Sequence, residues 1–111
     1  MAYSEQIARR IKNSLADIPN VREKKMFGGL AFMVNGKMCI TAGPDRMMCR
    51  IDPGIHDREI QKEGCTTVVM GGRTYKGYIY IEEEILKEEK DYHYWIKLAL
   101  DFNGNLISSK D

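Results

Sequence analysis

The stretch Lys24-Lys25-Met26-Phe27-Gly28-Gly29-Leu30-Ala31-Phe32-Met33-Val34-Asn35-Gly36-Lys37-Met38 joins an apolar strand to a tight turn and the start of a second strand. Asn35 and Gly36 both tolerate positive φ, which suits a two-residue type I′ hairpin. Gly28-Gly29 marks a bend or bulge where the backbone turns or packs closely. No acid, base, nucleophile or metal ligand is grouped in the segment. It specifies a fold and a binding role rather than a reaction.

Working outward, Leu30 to Val34 and Lys37 to Ala42 form the hairpin, Gly43-Pro44-Asp45 turns, and Arg46 to Ile51 is the next strand. Upstream, Ser4 caps a helix whose Ile7, Ile11, Leu15 and Ile18 make one stripe, with Arg9, Arg10, Lys12 and Asn13 turned to water. Pro19-Asn20 ends that helix, and Val21 to Phe27 reads as a charged strand with an edge position or one solvated face. Downstream, Asp52-Pro53 opens a short, shallowly seated helix that Gly64 closes. Thr66 to Met70 and Tyr78 to Ile81 are strands around Gly71-Gly72. A final helix, Glu88 to Asn103, carries Tyr92, Trp95, Ile96, Ala99 and Phe102 on one face.

The order α-β-β-β-β-α-β-β-α describes an α+β, two-layer sandwich: an antiparallel sheet of five to six strands covered on one face by helices. At 111 residues, the chain is read as one domain, 1–111.

Turn registers assign the two sheet faces. A two-residue turn at Asn35-Gly36 places Met33 opposite Met38 and Phe32 opposite Cys39. A three-residue loop at Gly43 to Asp45 pairs Ala42 with Arg46 and Cys39 with Cys49. One face then shows Leu30, Phe32, Val34, Cys39, Met47, Cys49 and Ile51, a floor for the helices. The other shows Ala31, Met33, Met38, Ile40, Met48 and Arg50. A bare methionine-rich face is a self-association or partner-docking surface, so Met33, Met38, Ile40, Met48 and Arg50 are the candidate partner-binding residues. The alternative is that loops or the strand Val21 to Phe27 fold over the patch as ordinary core. A one-residue register slip would exchange the assignments.

Seventeen basic and sixteen acidic residues leave a net charge of +1, which argues against a dedicated phosphate-backbone binder. Locally, Lys24 and Lys25, or Arg73 and Lys76, suit a phosphodiester, with Tyr75, Tyr78 and Tyr80 to stack bases. These four cations are the candidate nucleic-acid contacts; the plainer reading makes the tyrosines strand residues packed on one face. No signal peptide opens the chain and no apolar run approaches a membrane span. Three cysteines without a Cys-x-x-Cys pattern fit a reducing, cytoplasmic setting.

Chemistry is sparse. Cys39 and Cys49 read as buried thiols beside Phe32 rather than a redox pair, and Cys65 has no neighbouring base to activate it. His56 and His93 are solitary helix-surface residues, so neither a metal site nor a cofactor is expected. The run Glu82-Glu83-Glu84 with Glu88-Glu89 reads as a solvated helix approach. No catalytic residues are assigned, and the chain is expected not to be an enzyme.

These segments together resemble the N-terminal domain of the TfoX/Sxy family, bacterial regulators associated with natural competence. The matching residues are Lys24 to Phe32, Asn35 to Met38, Met47-Met48-Cys49-Arg50-Ile51, Gly72 to Ile81 and Trp95-Ile96, within a likeness running from Tyr3 to Phe102. Thr74 stands where the family usually has proline. The resemblance implies a secretion-chaperone-like fold that often dimerises, hence a homodimer, and a non-enzymatic role in transcriptional regulation through contact with a protein regulator. Full-length competence regulators carry a second, helical domain, so a chain read to Asp111 is expected to be a stand-alone form of the first.

Overall fold

The computed structural model describes residues 3–26 and 28–108. Ser4 accepts a hydrogen bond from the Ile7 amide and caps α1 (Glu5–Ser14), whose Ile7, Ala8 and Ile11 are buried. Four strands follow: β1 (Val21–Met26), β2 (Gly29–Val34), β3 (Lys37–Ala42) and β4 (Arg46–Arg50). Phe27, expected to close the first strand, lies outside the described residues. Asp52 then accepts from the Gly54 amide and starts a 3-10 turn, Pro53–Ile55, that runs into α2 (His56–Glu59). The chain ends with β5 (Cys65–Met70), β6 (Arg73–Glu82), a short α3 (Glu83–Leu86) and α4 (Glu89–Ser108). The acidic stretch read as a solvated approach is thus itself helical at Glu83–Leu86.

The six strands form one antiparallel sheet in the order β1-β2-β3-β4-β6-β5. The fold is α+β, as the sequence predicts. Helices cover one face, where Ile7, Ile11 and Leu15 from the first helical segment and Tyr92, Trp95, Ile96 and Ala99 from α4 pack onto Phe32, Met47, Cys49, Ile79 and Ile81. Arg10, expected in water, instead bridges the helices: Nη1 donates to the Leu86 carbonyl at 2.6 Å and the guanidinium lies 4.0 Å from the Tyr92 ring centre. Asn103 on α4 donates to the buried Val34 carbonyl at 3.0 Å, fixing the far end of that helix to β2.

Two bulges set the faces. Met33 pairs with Met38, but Phe32 pairs with Ile40, which leaves Cys39 as an extra residue on β3. Ile40 therefore sits in the helix-side core, and its assignment to the methionine face is corrected. The β3–β4 loop also has two residues, not three: the Gly43 amide donates to Arg46, Ala42 pairs with Met47, and Ile40 rather than Cys39 faces Cys49. The two one-residue departures cancel, and Met47, Cys49, Met48 and Arg50 keep their expected faces. A wider bulge lies in β6, where Lys76, Gly77 and Tyr78 span a single step, Thr67 to Val68, of β5.

Candidate functional site

The sheet face away from the helices has its own apolar cluster. Ala31, Met38, Met48 and Val68 are buried there, ringed by half-buried Met26, Met33, Met70, Tyr75, Tyr78 and Tyr80. None of these residues belongs to a helix. Met38 is only 7% exposed and Met48 1%, packed among strand methionines and tyrosines, and the Thr41 hydroxyl donates to the Met38 sulfur at 3.6 Å. Of the expected partner-binding residues, Met33 stands half-exposed on this face, Met38 and Met48 form its floor, and Ile40 is absent from it. Arg50 is half-buried, its guanidinium 5.4 Å from the Tyr78 ring centre and 5.6 Å from that of Phe102.

The β6 bulge assembles the tyrosines. With strict alternation, Tyr75 would point away from Tyr78 and Tyr80; the extra residues turn all three to the open side. Tyr75 and Tyr78 meet edge to face at 6.0 Å between ring centres. Gly77 makes the bulge feasible: its φ is +93°, and a Cβ there would approach Ile51 O at 3.1 Å and Pro53 Cγ at 3.2 Å. At the start of β2, a Cβ on Gly29 would run into the Ala42 carbonyl oxygen.

A family model of the TfoX N-terminal domain matches residues 13–103. The chain belongs to that family. No match is found among curated proteins or solved structures. In this TfoX N-terminal domain, Gly29 and Gly77 are backbone devices: Gly29 allows β2 to pack against β3, and Gly77 permits the bulge that turns the tyrosines outward.

The four candidate nucleic-acid contacts do not converge. Lys24 and Lys25 lie on β1 at one edge of the sheet; Arg73 and Lys76 lie on β6, next to the other edge, about 19 Å away across four strand spacings. Lys25 pairs with helix-side Leu30, and Lys76 is engaged with Asp57 at 3.4 Å. Lys24 and Arg73 are on the open side, opposite Ala31 and Met70.

His56 and Glu59 are the polar residues that sequence reading missed. His56 is 3% exposed, contrary to the helix-surface expectation. The Gly77 amide donates to its Nδ1 at 2.8 Å, so Nε2 carries the proton and donates to Thr67 Oγ1, also at 2.8 Å. Burial lowers its pKa below 6.5, with Asp57 opposing and Lys76 assisting. Glu59 is fully buried; Tyr94 donates to Oε1 at 2.8 Å and Arg58 to Oε2 at 2.9 Å, while Lys62 lies 3.9 Å away. The available signal was spacing: Glu59 follows Ile55 by four residues and Ile60 follows His56 by four, so both polar residues occupy the helix's buried stripe. His93 is exposed, 3.2 Å from Glu89.

A cavity of about 420 Å³ lies beside α4, lined by Cys65, Ile85, Tyr94 and Trp95 together with two lysines, Lys62 and Lys90, and two carboxylates, Glu63 and Asp91. Burial pushes the Cys65 thiol up to about 11 and Cys39 to about 12, the latter despite Arg50; burial also raises Cys49 well above the ordinary thiol value. All three cysteines are free. Among the described residues no cluster of side chains is arranged to hold a metal ion, and no helix is long and apolar enough to cross a membrane.

Proposed function

We propose that the protein is a non-enzymatic binding module of the cytoplasm whose working surface is the open sheet face, serving the regulatory role that membership of the TfoX family implies. One observation carries this reading: six half-buried methionines and tyrosines, all on strands, lie together on one sheet face. The thiols and the imidazole support the non-enzymatic part. The thiols are held protonated by burial, and both His56 nitrogens are committed to the protein's own groups. Three unpaired cysteines fit a reducing compartment.

Tagged protein incubated with lysate of its native cells tests the reading through paired variants. A macromolecule retained by the wild type and by helix-side Lys97→Glu should be lost by Met33→Asp and by exposed Arg73→Glu. Thermal melting of each bait verifies that it is folded. If nothing is retained, or retention ignores both open-face changes, the proposal is wrong.

A further inference from the structure

The open face concentrates positive charge that the whole chain conceals. Directly paired residues of antiparallel strands share a face, so Arg22 opposite Met33, Lys24 opposite Ala31 and Arg73 opposite Met70 all stand on the open side. Arg46 and Arg50 flank Met48 at two-residue steps on β4 and join them. Among the described strand residues, Glu82, opposite Arg46, is the carboxylate that register places there. Among strand residues, five cations stand against one carboxylate on this face, while Asp45, Glu83 and Glu84 line the pocket that Arg46 shares with Glu82 at its rim. Each open-face tyrosine also has an arginine over it: Arg46 lies 3.5 Å from the Tyr80 ring centre, Arg50 5.4 Å from Tyr78, and Arg73 5.9 Å from Tyr75.

We infer that this face binds single-stranded nucleic acid. The inference rests on the open face being the working surface and names its partner. Five cations spread across β1, β4 and β6 track a phosphate backbone, while tyrosine rings and the guanidinium planes above them stack unpaired bases. A second copy is disfavoured, because a two-fold contact through this face would set the cations of one copy against those of the other. A duplex would meet the cations but leave the aromatic rings unused. An acidic protein has the same shortcoming.

Fluorescence anisotropy with labelled oligothymidylate and oligouridylate of about 12 nucleotides tests the assignment. Binding should weaken linearly in log–log salt plots, by about 0.7 of slope per phosphate neutralised. Arg46→Ala and Arg73→Ala, both at exposed positions, should each lower the affinity and remove about one such increment. Tyr75→Leu keeps the apolar contact and should weaken binding about tenfold with the salt slope unchanged. Helix-side Lys25→Ala and Lys97→Ala should leave affinity where it was. Absence of binding at low salt overturns the inference, as does equal affinity for duplex or polyglutamate, or equal loss in the helix-side variants. If the oligonucleotides fail while Met33→Asp still releases a captured macromolecule, the binding-module reading survives and only the nucleic-acid assignment falls. If both fail, the open face is not a working surface.

Discussion

Gly77 and His56 form one local device in which a strained backbone is held by a buried ring. The Gly77 amide reaches His56 Nδ1, and its carbonyl accepts from the Ile51 amide at 2.7 Å. Gly77→Ala adds a side chain at φ +93° against Ile51 and Pro53, which should cost about 1–3 kcal/mol in urea unfolding. Gly71→Ala, where no atom lies within 4 Å of the new Cβ, serves as the comparison and should cost less. His56 adds pH dependence. Its native pKa is lowered by burial, so the unfolded chain takes up the proton first. Stability is therefore complete above the unfolded value of about 6.5 and falls as pH drops from there toward the native pKa. Below both values the penalty is constant. The urea midpoint should decline as pH falls below about 6.5 in the wild type and flatten in His56→Gln. An identical decline in the variant would assign the effect elsewhere.

At the scale of elements, Arg10 reaches from α1 to both α3 and α4, beside the 2.8 Å hydrogen bond between Ser14 and Tyr92. Arg10 donates to Leu86, stacks on Tyr92 and sits 3.2 Å from Glu89. The ion pair is exposed on the Glu89 side and contributes little, whereas losing the carbonyl bond and ring contact in Arg10→Ala should cost about 1–2 kcal/mol. Glu89→Ala should cost well under half of that; equal costs would show that the ion pair dominates. The elements themselves were largely legible. Asn35 and Gly36 have φ of 54° and 79°, as a type I′ turn needs, and Ser4 and Asp52 cap where their spacing placed them. What alternation hides is the bulge. Cys39 is one extra residue in β3 and carries Ile40 to the helix side; Lys76 to Tyr78 carry Tyr75 in β6 to the open side. The first leaves no mark in hydrophobic period, because both residues flanking Cys39 are apolar. The basic face was equally hidden, since a net charge of +1 says nothing of which side each cation takes. Only the pairing partners of Arg22, Lys24 and Arg73 reveal it.

For the whole molecule, one sheet separates two cores of unequal kind. The helix-side core is roofed by α1 and α4; the open-side core is roofed by the rim of its own face. Adjacent residues on β4 offer a direct comparison, because Met47 and Met48 are both essentially inaccessible yet point into opposite cores. If rim side chains pack as closely as a helix, removing either thioether leaves an unfilled void. Met47→Ala and Met48→Ala should then each cost about 2–5 kcal/mol. A rim that collapses into the gap would lower the second cost, since relaxation decides how much of the cavity term survives. Urea unfolding of the two variants, with the slope checked for constancy, measures the difference. Near-equal costs mean that the open face is a rigid platform presented ready-made to its partner. If Met48→Ala costs less than about 1 kcal/mol while Met47→Ala keeps its full cost, the tyrosines and methionines are loosely seated. Any ligand on that face would then have to order them as it binds.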